Sequence, residues 1–310
     1  MTETPDYATL IDAETWAFIR ATDQWYPSDA ASRSVAEQRT VYDAMCRAFF
    51  QGHPPGVVAE DLVLAAVSVR RYRCVGTAVH HTGSGLGRVL YLHGGGFVVG
   101  GLHSHDDVCA ELCARTGGEV VAADYRLAPE HRHPAAFDDA LAVAEALLAE
   151  GGPLLLVGDS AGGNLAAALS LVLRGRVRGQ VLIYPGLGGD MAAGTYVSHA
   201  DAPMLTTGDV MYYRTIRGEG DGDWRAAPLV ATDFAGVAPT LVFSAECDPV
   251  CDDGRVFVDR IKAAGGRARW VEEKGLVHGY LRARTTVARA RASFTSIVDG
   301  ITRLMAGDAP

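Results

Sequence analysis

The run Gly158-Asp159-Ser160-Ala161-Gly162 sets a serine between two glycines in a G-x-S-x-G pattern. A serine hydroxyl is a poor nucleophile until a neutral imidazole takes its proton and a carboxylate fixes the imidazole tautomer and stabilises its cation. Before the run lies the apolar stretch Leu154 to Val157, and after it an alanine-rich stretch with helical character. A turn from strand to helix that sharp puts the serine in a strained conformation and leaves no room for neighbouring side chains, which is why glycine is needed on either side. Ser160 then projects at a helix N-terminus, where developing negative charge is favoured. A glycine-rich turn with an idle serine would carry the same letters, so the partners decide the matter.

In a strand-helix scaffold of this kind the acid and base follow the serine in the order Ser, Asp, His, each on a loop at the C-terminal end of a later strand. Of the ten histidines only His199 and His278 follow Ser160. His199 sits in an irregular stretch, whereas His278 follows the strand expected over Ala268 to Val271, so His278 is the better base. For the acid, Asp248 begins the loop directly after the strand Leu241 to Ala245 and is stiffened by Pro249. Glu246, Asp252 and Asp253 compete, because an error of two residues in the strand end would reassign the role.

His93-Gly94-Gly95-Gly96-Phe97 follows directly on another short apolar strand, Val89 to Leu92. Three consecutive glycines leave backbone N–H groups unobstructed, so this loop and the N–H of Ala161 can close on a tetrahedral oxyanion. His93 fits a structural hydrogen bonder better than a catalyst.

The elements that must position these residues follow from periodicity. Short apolar runs at 89–92, 120–123, 154–157, 181–184, 241–244 and 268–271 alternate with helical stretches near 106–115, 135–149, 161–173, 254–264 and 287–305. Continuous apolar runs suit strands buried on both faces, so the pattern predicts an α/β fold with a mostly parallel, doubly wound sheet covered by helices. Upstream, Leu62 to Val69 and Tyr72 to Val79 predict a hairpin or adjacent strands ahead of a glycine-rich turn. Residues 1–52 predict two helices forming a cap segment. The first starts at Thr4-Pro5 and carries Tyr7, Leu10, Ile11 and Phe18, and the second starts at a Ser34-to-Glu37 capping box. Residues 53–310 then form the catalytic domain. Within it the rhythm stops between 185 and 239, which predicts an insertion over the sheet with a helix near 208–216.

Composition narrows the function. With 310 residues, 48% of them hydrophobic, the chain can bury one large core. It has 28 basic and 37 acidic residues, a net charge of −9, and its only lysines are Lys262 and Lys274. No basic stripe could track phosphates, so nucleic acid is not an expected partner. The six cysteines, Cys46, Cys74, Cys109, Cys113, Cys247 and Cys251, lack a zinc-like spacing and suit free thiols in a reducing compartment. The acidic N-terminus is unlike a signal peptide, and no uncharged apolar stretch approaches about 18 residues, so a cytoplasmic protein without a membrane span is expected.

Taken in order, the motifs HGGGF (93–97), DYRLAPE (124–130), GDSAGG (158–163), ECDPVCD (246–252) and VHGY (277–280) give a chain that resembles the bacterial hormone-sensitive-lipase-like esterases of the GDSAGG branch, within the α/β-hydrolase fold. The likeness runs from about residue 70 to 305. It implies oxyanion donors at Gly95, Gly96 and Ala161, the acid at Asp248 and the base at His278. It also implies a helical cap, no metal or cofactor, and a homodimer of the kind many members form. Asp124, Arg126 and Glu130 of DYRLAPE are expected to buttress the oxyanion loop. One departure is Cys74, where such chains often carry proline.

The function expected is hydrolysis of short- to medium-chain carboxylic esters, small molecules, through an acyl-enzyme. The same machinery could serve an amidase or a deacetylase of small acylated molecules. A hydrolase-like ligand-binding protein is the alternative of another class, and His278 speaks against it, since the binding proteins of this family have lost that histidine.

Overall fold

A computed structural model describes residues 5–26, 33–75, 87–218 and 222–310. Among the described residues the N-terminal segment holds three helices: α1 (Tyr7–Leu10), α2 (Ala13–Asp23) and α3 (Val35–Phe49). The single first helix expected from the spacing of Tyr7, Leu10, Ile11 and Phe18 is broken at Ile11, because Asp6 and Asp12 each cap a new start, accepting from Ala8 N and Thr15 N. The expected cap at Thr4 lies outside the described residues. Ser34 and Glu37 do form a reciprocal capping box at α3, with Ser34 N donating to Glu37 Oε2 at 3.0 Å; such a cap is worth about 1 kcal/mol.

Next comes a hairpin, β1 (Val57–Leu64) and β2 (Val67–Cys74). Its turn falls at Ala65-Ala66, several residues earlier than the sequence suggested, and both alanines take positive φ, 51° and 66°. No Gly, Asn or Asp marks that turn, so turn chemistry could not locate it. The rest follows as β3 (Arg88–Leu92), α4 (Asp106–Thr116), β4 (Glu119–Ala123), α5 (Ala135–Ala149), β5 (Leu154–Asp159), α6 (Ala161–Val172), β6 (Gly179–Ile183), α7 (Thr195–Ser198), α8 (Thr207–Arg217), β7 (Thr240–Cys247), α9 (Cys251–Ala263), β8 (Ala268–Val277) and α10 (Ala288–Ala306).

The eight strands among the described residues form one sheet in the order β1-β2-β4-β3-β5-β6-β7-β8. β2 runs antiparallel to both its neighbours and all other pairs are parallel. Because strand side chains alternate faces, each apolar run feeds two cores. Val89 and Tyr91 of β3 join Val108 and Leu112 of α4 and Phe294 and Ile297 of α10 on one face. Leu90 and Leu92 join Phe137 of α5, Leu165 of α6 and Phe257 of α9 on the other.

Two segments lie over the C-terminal edge of the sheet. Tyr42, Met45 and Cys46 of α3 pack on Val98, Val99 and Ala128, with Tyr213 and Ile216 of α8 beside them. The N-terminal segment is tied to the body by Glu14, whose carboxylate accepts from Ala288 N at 2.7 Å and so caps α10, and by the Asp12–Arg289 ion pair at 3.0 Å. Among the described residues no helix is long and apolar enough to cross a membrane, and no group of three or more His, Cys, Asp or Glu side chains is placed to hold a metal ion.

Candidate active site

Ser160 stands between β5 and α6 with φ 51° and ψ −116°. A positive φ costs a non-glycine residue about 1–3 kcal/mol and persists only where surrounding contacts enforce it. Here Ser160 N donates to Ile183 O of the neighbouring strand at 2.9 Å, and Ser160 O accepts from Asn164 N at 3.1 Å. The flanking glycines are steric necessities, since a Cβ on Gly162 would collide with the Leu92 carbonyl and one on Gly158 with the Gly162 carbonyl.

His278 follows β8 immediately. That strand is six residues longer than its apolar run, because Glu272, Glu273, Lys274 and Gly275 continue it past Val271. His278 Nε2 lies 2.8 Å from Ser160 Oγ, and Nδ1 lies 2.7 Å from Asp248 Oδ2. Since an ionised carboxylate can only accept, this geometry sets Nδ1–H toward Asp248 and leaves Nε2 free to accept the serine proton. Asp248 has no exposed surface, and its other oxygen accepts from Val250 N at 3.1 Å.

The competing acids are engaged elsewhere. Glu246 holds Lys274 at 2.9 Å and Gly275 N at 2.7 Å. Asp252 pairs with Arg255 and accepts from Thr195 N. Asp253 accepts from Leu187 N and from Tyr196 Oη, and burial pushes its carboxyl up to about 6 against those bonds. His199 meets Tyr7 Oη at 3.1 Å, away from the serine.

Gly95 and Gly96 take φ 127° and 60°, and a Cβ on either would strike Val99 O or the Tyr213 ring. Together with Ala161 they line the same cavity as Ser160 and His278, and their three N–H groups donate to no acceptor among the described residues. Gly94 differs: its N–H is already bound to Asp159 Oδ1 at 3.0 Å.

Asp159 belongs to GDSAGG, but the sequence gives it no role, and the structure gives it a large one. It is buried and also accepts from Tyr91 Oη at 2.8 Å, with His105 Nε2 at 3.2 Å. Burial alone would raise its carboxyl, but the His105 charge and these hydrogen bonds outweigh burial and hold it well below the usual carboxylate range. Tyr184 was missed as well: its ring centroid lies 4.9 Å from that of His278 and shields the imidazole. Tyr184 carries no motif and only proximity marks it, whereas Asp159 stands inside GDSAGG with nothing in the motif to tell its role.

The buttress expected from Asp124, Arg126 and Glu130 needs correcting. Arg126 turns away to Asp139 of α5, at 2.8 Å. Asp124 faces the segment after the loop, 3.2 Å from where a Gly101 Cβ would sit. Glu130 acts through Arg39 of α3, which it binds at 2.7 Å while Arg39 donates to the carbonyls of Val98 and Ala128. The direct support is Tyr125, whose hydroxyl donates to His93 O at 2.6 Å and whose ring stacks on His93 at 4.3 Å between centroids. His93 is fully enclosed, and burial, then the nearby His105, push its imidazole down to about 4, so it stays neutral.

The cavity above the serine has a volume of about 610 Å³, and the α3 and α8 segments wall it with Tyr42, Met45, Tyr212 and Tyr213.

Comparison with known proteins agrees with this architecture. Residues 89–282 match the family described as alpha/beta hydrolase fold, and the chain belongs to that family. It is an enzyme of the hydrolase class. It is similar to an ethyl acetate hydrolase of Pseudomonas putida, 33% identical over 229 residues that make up 69% of this chain and 72% of the relative. A carboxylesterase of Mycobacterium tuberculosis is 34% identical over 220 residues, 65% of this chain and 69% of the relative. A solved Pyrobaculum calidifontis esterase superposes with a TM-score of 0.82 at 28% identity, covering 95% of this chain and 99% of that one.

Proposed function

We propose that this chain is a serine carboxylic-ester hydrolase acting on short- to medium-chain acyl esters. Ser160 Oγ attacks the ester carbonyl while His278 Nε2 takes its proton, and Asp248 holds the imidazole in the needed tautomer and stabilises its cation. The N–H groups of Gly95, Gly96 and Ala161 receive the oxyanion, each donor being worth about 3 kcal/mol in transition-state stabilisation. His278 then returns the proton to the leaving alkoxide, and water, activated by the same imidazole, releases the acid.

The observation that carries this reading is the unbroken Asp248–His278–Ser160 relay opening into a cavity beside unengaged amides. The esterase names of the relatives support the bond type. Residues 1–52 and 185–239 act as the cap that shapes the pocket, which is supported by the placement of α3 and α8 over the glycine loop. The six free thiols favour a reducing, cytoplasmic setting.

The test is turnover of 4-nitrophenyl acetate by the native protein and by Ser160→Ala. A drop of at least about a thousandfold is expected, and undiminished turnover in a folded variant would refute the assignment.

A further inference from the structure

Two arginines follow His278 on the same turn, and their surroundings are opposite. Arg284 is enclosed with two carboxylates, Asp107 at 2.6 Å and Glu111 at 2.8 Å. Arg282 lines the active-site cavity and has no carboxylate within ion-pair distance among the described residues. Its Nη2 donates to Tyr42 Oη at 2.6 Å and approaches Cys46 Sγ at 3.5 Å, while its guanidinium sits 5.0 Å from the centre of the Tyr42 ring. Its Nε–H is buried without any acceptor.

None of the three carboxylates that line the cavity forms an ion pair with it, although the buried Asp159 charge acts on it through space. Asp159 is engaged with Tyr91, Gly94 and His105, Asp209 caps α8 through Thr206, and Asp23 forms no ion pair with it. Arginine stays protonated at any ordinary pH. A sheltered cation with no directly paired carboxylate is costly, and proteins pair such charges with few exceptions. Tyr42 gives the guanidinium a hydrogen bond and a ring face, which orient it without cancelling its charge. A permanently charged, planar guanidinium on the wall of a shielded cavity matches a carboxylate.

We propose that Arg282 is a specificity-determining residue that receives a carboxylate on the substrate, so that the preferred esters carry one anionic group beside the scissile bond. The inference rests on the serine ester hydrolase reading above. Tyr42, Met45 and the ring of Tyr213 enclose the carbon skeleton, and Arg282 reads the charge at its end. Neutral esters of the same length then lack the ion pair and leave the guanidinium uncompensated.

The experiment compares kcat/KM for two matched pairs. In the first, mono-4-nitrophenyl adipate carries the carboxylate on the acyl arm and 4-nitrophenyl hexanoate is its neutral partner. In the second, 4-acetoxybenzoate carries it on the alcohol arm and 4-acetoxytoluene is neutral. The native protein is expected to turn over the anionic member of one pair at least as well as the neutral member, and the pair that does so locates the carboxylate. In Arg282→Met the anionic-to-neutral ratio for that pair should fall at least about tenfold, with Arg282→Lys between the two.

A native protein that disfavours both anionic esters by more than tenfold overturns the proposal, as does a ratio unchanged in a folded Arg282→Met. If the variants do not fold, the native ratios decide alone. Failure of the hydrolase reading looks different: neither pair is turned over, or Ser160→Ala stays active.

Discussion

Gly94 N donates to Asp159 Oδ1 at 3.0 Å, which ties the first residue of the glycine loop to the residue immediately before the serine. The strand-to-helix turn and the glycine loop therefore share one buried carboxylate. The loop's remaining glycines, Gly95 and Gly96, line the cavity, and their N–H groups donate to no acceptor among the described residues.

Asp159→Asn should damage both functions of that carboxylate. One of its acceptors becomes a donor facing Tyr91, Gly94 or His105, each of which donates to the carboxylate. A loss of roughly 3 kcal/mol in unfolding free energy is expected from the unbalanced buried network. A fall in kcat larger than any change in KM should accompany it, since the donors position the transition state more than the substrate. Denaturant titration and steady-state kinetics on the same preparation check both.

The Gly96 position should behave as a steric couple with Tyr213. A Cβ on Gly96 would enter the Tyr213 ring, so Gly96→Ala should lower kcat by about tenfold to a hundredfold as the loop shifts. Tyr213→Ala in the same chain should restore part of that loss. A double-mutant cycle with no coupling would place the defect in the glycine's φ of 60° rather than in the ring contact.

Arg39 and Glu130 should prove unequal partners. Their ion pair is partly exposed, and such pairs contribute at most about 1 kcal/mol. Glu130→Gln is therefore expected to change stability by less than about 0.5 kcal/mol. Arg39→Met removes the donors to the Val98 and Ala128 carbonyls as well and should cost about 1–3 kcal/mol. Thermal melts of the two variants, measured side by side, separate the contributions.

The acid side of the stability profile should carry the signature of His93. Its folded-state value is lowered to about 4, while in the unfolded chain it takes up a proton near 6.5. The stabilising contribution is thus fully present above about 6.5 and is lost as pH falls toward 4, to a total of roughly 3 kcal/mol. Asp253, raised to about 6, works in the opposite sense: its contribution is present below about 3.9 and fades as pH rises through 6. Replacing His93 with Gln should flatten the decline between pH 6.5 and 4, which unfolding titrations at intervals of half a pH unit would reveal.

Much of the fold was legible because its signals are local. A strand buried on both faces must be apolar throughout, so β3, β5 and β7 announced themselves in runs of four residues. The edge of the sheet was less clear. β8 runs on through Glu272, Glu273 and Lys274, which one more exposed side tolerates, and its true end at Val277 was hidden. The β1–β2 turn was misplaced because two alanines, with no turn-forming side chain, are driven into positive φ by the strands that flank them.

What the sequence determined by itself was the inventory of chemistry: a serine at a glycine-bounded turn, a histidine and an acid after later strands, and a glycine loop after an earlier one. Each depends on a few adjacent residues. Only the tertiary structure decided which of four acids meets His278, that Arg126 braces α5 while Tyr125 braces the loop, and that Arg284 is paired where Arg282 is not. Those outcomes depend on strand register and on side chains brought together from 30 to 118 residues apart, as in the relay itself, and hydrogen-bonding capacity written in a sequence does not say who stands within reach.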